Sequence, residues 1–574
     1  MSWFTLLIAP FLALAAVLLL SWARSLWRNY AAARTIGIPI RVVPFSPFNP
    51  IWCLVDRKVA ALLRRVPLLG PGNNVTRYNW RGCDMDDRWR SHYEMGDIFI
   101  LVTPQYNMVQ LNDPEAIYNV FKRGVDFPRP VWVNDVLGVF GPNISCAEGQ
   151  SWKAQRRVAT RCFNEANNEI VWSEALSLAD DMLRYWSSKN FTKTSAEDMR
   201  TLTLNVLARA GFGKSFRFRG HEEETPTSES QSMSYRESLA LILENLILIL
   251  AVGPKTLALF ARYWLPSKLR LVHDAVNSFQ THMTTMYEEQ KRAFADGEES
   301  SDNNLMTLLV RASQEAAKDG EFGGLTESEI YGNMFTFNFA GHDTTAHSST
   351  FALYFLAANP DVQDWIREEI QQVLGGREPH EIDYRAEFPR LKRCLAVLYE
   401  TLRLFTIVPA IKWTGDQATT LTVGENTYSM PPKTIILPSY ASMHTDPRYW
   451  GSDSLEWRPS RWIRKPDSGP DSTTTSKKKV GEEEIDMNQR GVFLGWSEGT
   501  RDCPGKKFSQ VEFVALMVGL FRQWRVDPVV RKDEGETIEA ARQRVMKLIQ
   551  EDSGWVLLLQ MLHPERAPLS WRKA

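Results

Sequence analysis

The first 23 residues, MSWFTLLIAPFLALAAVLLLSWA, carry no charged side chain. A run of that kind reaches the ~20 apolar residues needed to cross a bilayer. Arg24, Arg28 and Arg34 follow it, and no Lys or Arg precedes it. The positive flank predicts a cytosolic body and a lumenal N-terminus, with Trp3, Trp22 and Trp27 suited to the two interfaces. A cleaved signal peptide is the competing reading, although the run is long and lacks a basic leader. A cytosolic body leaves the sequons at Asn74, Asn143 and Asn190 unused, whereas a cleaved signal exposes them to modification. Prolines at 39, 44, 47 and 50 then predict a semi-rigid strap. The expected organisation is a membrane segment over 1–23, a basic, Pro-rich linker over 24–50 and one large domain over 51–574.

Within that domain, GDIFILVTPQYNMVQLNDPEAIYNVF predicts two short strands and a helix opened by Asp113 and Pro114. Helical patterns dominate from about Ser151 to Phe405, with loop-like stretches near 219–234 and 295–304. The apolar ESLALILENLILILAVG reads as a buried helix or as a surface helix touching a membrane, and periodicity leaves both open. Short strands return between Lys412 and Leu437. The charge blocks and Ser/Thr run of 465–489 predict a solvated, mobile insertion. The fold class expected is mainly α with small β-sheets.

Composition narrows the function classes. The 574 residues have a net charge of -1 and 44% hydrophobic content, enough for a large core and no electrostatic footprint for nucleic acid. Cys53, Cys83, Cys146, Cys162, Cys394 and Cys503 are scattered without a C-x-x-C pair, which excludes a disulfide framework and argues against structural zinc.

Cys503 stands apart from the other five. It lies in FLGWSEGTRDCPGKKFSQVEF, with Arg501 before it, Gly499 and Gly505 around it and an apolar helical stretch after Pro504. A cation and a helix N-terminus both favour a thiolate, and glycines permit a sharp turn that brings amides near sulfur. A buried inert thiol and a cysteine nucleophile with a histidine base fit the same residues.

Trp496, Gly499, Arg501, Cys503 and Gly505 resemble the haem-binding loop F-x-x-G-x-R-x-C-x-G of the cytochrome P-450 family, with Trp in the Phe position. Four further stretches resemble the family's other motifs, in its order. GQSWKAQRRVATRCF carries Trp152 and Arg156 as in W-x-x-x-R. FNFAGHDTTAHSST carries Ala340, Gly341, Asp343, Thr344 and Thr345 as in A/G-G-x-D/E-T-T. LYETLRLF carries Glu400 and Arg403 as in E-x-x-R, and EWRPSRW carries Arg461 as in P-x-R-F, with Trp462 for Phe. Read alone, these are a solvated helix, a kinked helix and a surface ion pair.

The resemblance implies a haem-thiolate monooxygenase of the microsomal type, anchored in the endoplasmic reticulum membrane by a single span with its catalytic domain cytosolic. It implies haem b (iron protoporphyrin IX), with Cys503 as iron ligand and its thiolate favouring O–O cleavage. Arg501, Trp152 and Arg156 would hold propionates, Trp496 would cover the sulfur side, and Gly341 would leave room for dioxygen. Thr344 would hydrogen-bond dioxygen and Asp343 would supply protons, while Glu400, Arg403 and Arg461 would form a structural network. Lys412 stands where many members place another propionate contact. Electrons would come from NADPH through a reductase, and Lys153, Arg157, Arg161, Lys506 and Lys507 offer it a basic face. Apolar stretches at 129–145 and 237–253 imply a lipophilic substrate.

The Cys503 loop resembles filamentous-fungal members, many of which oxidise terpenoids, polyketides or alkaloids. Fatty-acid or xenobiotic hydroxylation, and a haem-thiolate isomerase that does not use dioxygen, are the alternatives. A haem binder without turnover is a third.

Overall fold

The computed structural model describes residues 3–66, 73–130, 135–221, 233–253, 267–296, 304–318, 324–464, 480–487 and 491–574, with Thr256 and Leu259. Most of the expected insertion at 465–489, and the centres of the loops near 219–234 and 295–304, lie outside the described residues. The chain divides into two compact units, one comprising Met1–Pro130, Val408–Glu456 and Asn488–Asp502, the other Val131–Ile407, Trp457–Met487 and Cys503–Ala574.

The first unit begins with helix α1 (Trp3–Arg34), longer than the uncharged run. Its apolar side chains from Phe11 to Leu20 are exposed, as a membrane-crossing segment requires. Its last turns are docked instead. Trp22 Nε1 donates to the Pro44 carbonyl at 2.9 Å, and Asn29 Nδ2 donates to the Thr103 carbonyl at 2.8 Å.

A five-stranded sheet follows: β1 (Ile40–Val42), β2 (Ile98–Val102), β3 (Asn107–Leu111), β4 (Lys412–Trp413) and β5 (Ile435–Pro438), in the order β1-β2-β3-β5-β4. All five residues of β2, IFILV, are buried, because a central strand covered on both faces needs no polar alternation. The strap is thus partly a strand. Prolines 39 and 44 flank β1 at the sheet edge, where their missing N–H groups cost no ladder bond. Ile100, Val109, Leu111, Ile117, Val120, Phe127 and Leu494 form the core of this unit.

The second unit is helical. Its main elements are α2 (Gly149–Cys162), α3 (Glu165–Ser187), α4 (Ser195–Phe212), α5 (Glu327–Ala358), α6 (Lys392–Leu404) and α7 (Lys506–Phe521). α5 opens with a capping box between Thr326 and Glu329 and is buried over most of its 32 residues, so its amphipathic signal vanishes. Small residues let neighbours close in. A Cβ at Gly519 would lie 2.5 Å from the Ala179 Cβ, fixing α7 against α3, and one at Gly341 would lie 3.3 Å from Leu207 Cδ1 on α4. Leu239, Ile242, Leu246 and Ile249 are buried, so one face of the apolar stretch after Ser234 packs into this unit. Two antiparallel strand pairs near the C-terminus, Trp524–Pro528 with Leu569–Lys573 and Ser553–Trp555 with Leu559–Met561, lie beyond what the pattern predicts. All four strands are short, and the first pair is interleaved with charge.

Candidate functional site

Cys503 is the exposed cysteine among the six; Cys162 and Cys394 are buried, and burial pushes the Cys162 thiol up to about 12. It lies three residues before the first turn of α7, whose N-cap is Gly505. Gly505 has φ -85°, open to any residue, and a Cβ there would lie 3.9 Å from the Cys503 sulfur. The sharp turn expected of both glycines belongs to Gly499 alone, at φ 76°, where a Cβ would meet the Phe121 carbonyl oxygen at 2.8 Å.

Gly499 belongs to the first unit, as do Trp496 and Arg501. Trp496 stands edge-on to Phe493 with ring centroids 6.2 Å apart, and Ser497 beside it has φ 66°. The Arg501 carbonyl accepts from Arg129 Nη2 at 3.3 Å. Lys412 is buried, its ammonium 5.3 Å from the centre of the Phe121 ring.

In the second unit, α5 presents Gly341, Asp343 and Thr344 within one turn. Thr344 Oγ1 donates to the Ala340 carbonyl at 2.6 Å. Asp343 Oδ1 lies 3.4 Å from Arg200 Nε and 3.4 Å from His342 Nδ1. Burial opposes its charge, but the contacts with His342 and Arg200 outweigh burial and hold the carboxyl below its usual range. On α7, burial pushes the Glu512 carboxyl, beside Thr345, well up.

Glu400 and Arg403 on α6 are fully buried. Arg403 grips Glu400 in a fork, Nε to Oε2 at 2.8 Å and Nη2 to Oε1 at 2.9 Å. Arg461 Nε and the Arg458 backbone N–H both donate to Oε1 at 2.8 Å. Trp462 Nε1 donates to Oε2 at 2.9 Å, which gives a reason for Trp at this position: Phe could not donate. Gln510 of α7 donates to Tyr399 of α6 at 3.0 Å, linking this cluster's helix to the one that follows Cys503.

Trp152 and Arg156 are half-buried on α2 and line an open depression of about 450 Å³ with Lys153, Arg157, Thr160 and Arg161. Arg161 is paired with Glu315 at 3.3 Å, and Lys507 lies over the Phe388 ring at 4.2 Å.

No group of three or more His, Cys, Asp or Glu among the described residues could hold a bare metal ion. A single exposed cysteine fits an iron that brings most of its ligands with it, as haem does. A protein-family model described as Cytochrome P450 matches residues 64–550.

The chain belongs to the cytochrome P450 family.

A cytochrome P450 monooxygenase of Arthrobotrys oligospora is 30% identical over 574 residues, covering 95% of each chain. The phomenoic acid biosynthesis cluster cytochrome P450 monooxygenase of Leptosphaeria maculans is 28% identical, over 89% of this chain and 90% of its own. A crystal structure of a cytochrome P450 shares the fold, with TM-score 0.61 and 19% identity over 84% of this chain and 96% of its own. This P450 is therefore an oxidoreductase of a haem-iron monooxygenase family. Arg200, His347 and Glu512 were not singled out in the sequence, and Arg129 entered only as the first residue of an apolar stretch. Of these only His347 had a local signal, four residues after Asp343 on one helix face.

Proposed function

We propose that this P450 binds haem b through Cys503 and uses dioxygen, with electrons from NADPH through a reductase, to oxidise a lipophilic small molecule. The exposed thiol just ahead of α7 carries this reading. Bound haem would supply the iron at which dioxygen is reduced and the O–O bond cleaved. The chain's own residues would orient that group and manage protons. Arg501, Trp152 and Arg156 are assigned to the propionates, Trp496 to the sulfur side and Gly341 to the oxygen side. Asp343, a carboxylate at rest, takes up a proton in transit and passes it on, and Thr344 offers the hydroxyl next to it. Glu400, Arg403 and Arg461 keep α6 in place and touch no reactant.

The relative from the phomenoic acid cluster supports a fungal secondary metabolite as substrate class. α1 is the single membrane span, placed in the endoplasmic reticulum with the domain from residue 51 onwards cytosolic. The test combines two measurements on the membrane-bound protein. NADPH-dependent oxygen consumption with lipophilic compounds should require added reductase. Deleting the gene should remove an oxidised metabolite from the extract and leave its less oxidised precursor, and an unchanged extract would count against the substrate class.

A further inference from the structure

Asp343 is surrounded by more titratable groups than proton supply by Asp343 and Thr344 uses. Arg200 of α4 places Nε 3.4 Å from Asp343 Oδ1, Nη2 3.2 Å from His347 Nε2 and Nη2 3.0 Å from Gln560 Oε1. His342 spans the same groups, with Nε2 3.1 Å from the Arg200 carbonyl oxygen and Nδ1 3.4 Å from Asp343 Oδ1.

A carbonyl only accepts, so Nε2 carries the proton of the neutral ring and Nδ1 is an acceptor. Nδ1 is buried and receives no hydrogen bond. It faces a carboxylate oxygen, which also only accepts. Two acceptors face each other across 3.4 Å, and one proton between them turns repulsion into an ion pair.

The remaining groups set when that proton binds. The charged groups facing His342 are Asp343 on its own helix and Arg200 on α4. Burial and the guanidinium disfavour the imidazolium, while Asp343 favours it. His347 accepts from Arg200; burial and that guanidinium bring it to about 3, so it stays neutral. Arg200 is the route to water. Its side chain is 38% exposed, against 6% for His342 and 13% for Asp343.

We propose that His342 and Asp343 form a one-proton relay gated by Arg200. When Arg200 leaves Asp343, a proton from solvent binds His342 Nδ1, and it then passes to Asp343 Oδ1 and leaves from there. The Nε2–H goes on donating to the Arg200 carbonyl throughout, and no electron moves. His342 is a positioning and proton-holding residue, and its role rests on the proton-supply function given to Asp343 above.

The test uses full-length, haem-loaded protein with ¹⁵N-labelled histidine and the variants Arg200→Met and His342→Gln. Gln keeps a donor for the Arg200 carbonyl and so preserves the fold. The His342 nitrogen shifts should show an Nε2–H ring that titrates on acidification. Arg200→Met should move that titration upward by about one pH unit, because a nearby like charge is removed. His342→Gln should lower the fraction of NADPH coupled to product roughly 10-fold, less than loss of a direct proton donor costs, and raise the solvent deuterium isotope effect. A His342 titration unmoved in Arg200→Met, or wild-type coupling and isotope effect in His342→Gln, overturns the relay. The imidazole titration is readable whatever ligand holds the iron, so failure of Cys503 ligation and failure of the relay are told apart.

Discussion

Two clusters of buried charge lie in the same helical unit and are built on opposite terms. Around Glu400 every partner of the carboxylate donates: two arginines, one backbone N–H and one indole N–H, all within 2.9 Å. Around Asp343 the closest ionic contacts are 3.4 Å, one partner nitrogen is itself an acceptor, and the guanidinium reaches solvent. The first arrangement satisfies its charge and has one state. The second leaves a place for a proton beside a partner that reaches solvent. A buried charge that is fully donated to fixes structure; one left partly satisfied can do chemistry.

Substitutions should separate the two. Glu400→Ala strands the buried Arg403 and should cost about 3–5 kcal/mol, read as a fall in denaturation midpoint and haem retention. An intact midpoint would remove Glu400 from the structural role. Asp343→Asn should leave the midpoint nearly unchanged but slow product formation by about 100-fold, some 2.7 kcal/mol of barrier. Trp462→Phe removes one donor to a charged group and should cost about 1–3 kcal/mol of stability with coupling untouched. Arg200→Met should change stability least, by about 0–1 kcal/mol, since its guanidinium is well exposed.

Acid should distinguish the clusters as well. Burial opposes the Glu400 charge, but Arg403 and Arg461 hold its carboxyl below the usual range in the folded state. Its contribution is therefore complete above the unfolded value of about 4.3 and is lost as pH falls through the lower folded value. Glu400→Gln should flatten that acid limb of the stability curve.

What the sequence revealed follows the range of each interaction. Glu400 and Arg403 stand three residues apart on one helix, and spacing alone brings them together. Cys503, Gly499 and Arg501 are legible because one turn holds them. Arg461 needed a family resemblance, being 61 residues from Glu400. Arg200 lies 142 residues from His342, joined only by the packing of α4 on α5, and no local pattern marks it. The β1 strand hid in the strap because edge strands tolerate the flanking prolines that argue against a strand. Trp462 read as a departure from a motif until its indole was seen donating to Glu400.

The most direct test is the carbon monoxide difference spectrum of the reduced, haem-loaded protein. Ligation by Cys503 predicts the strongly red-shifted band of a thiolate-bound iron, lost in Cys503→Ala and kept in Cys394→Ala, whose thiol is buried. A folded, haem-loaded wild type without that band, or a Cys503→Ala variant that retains it, would contradict the assignment.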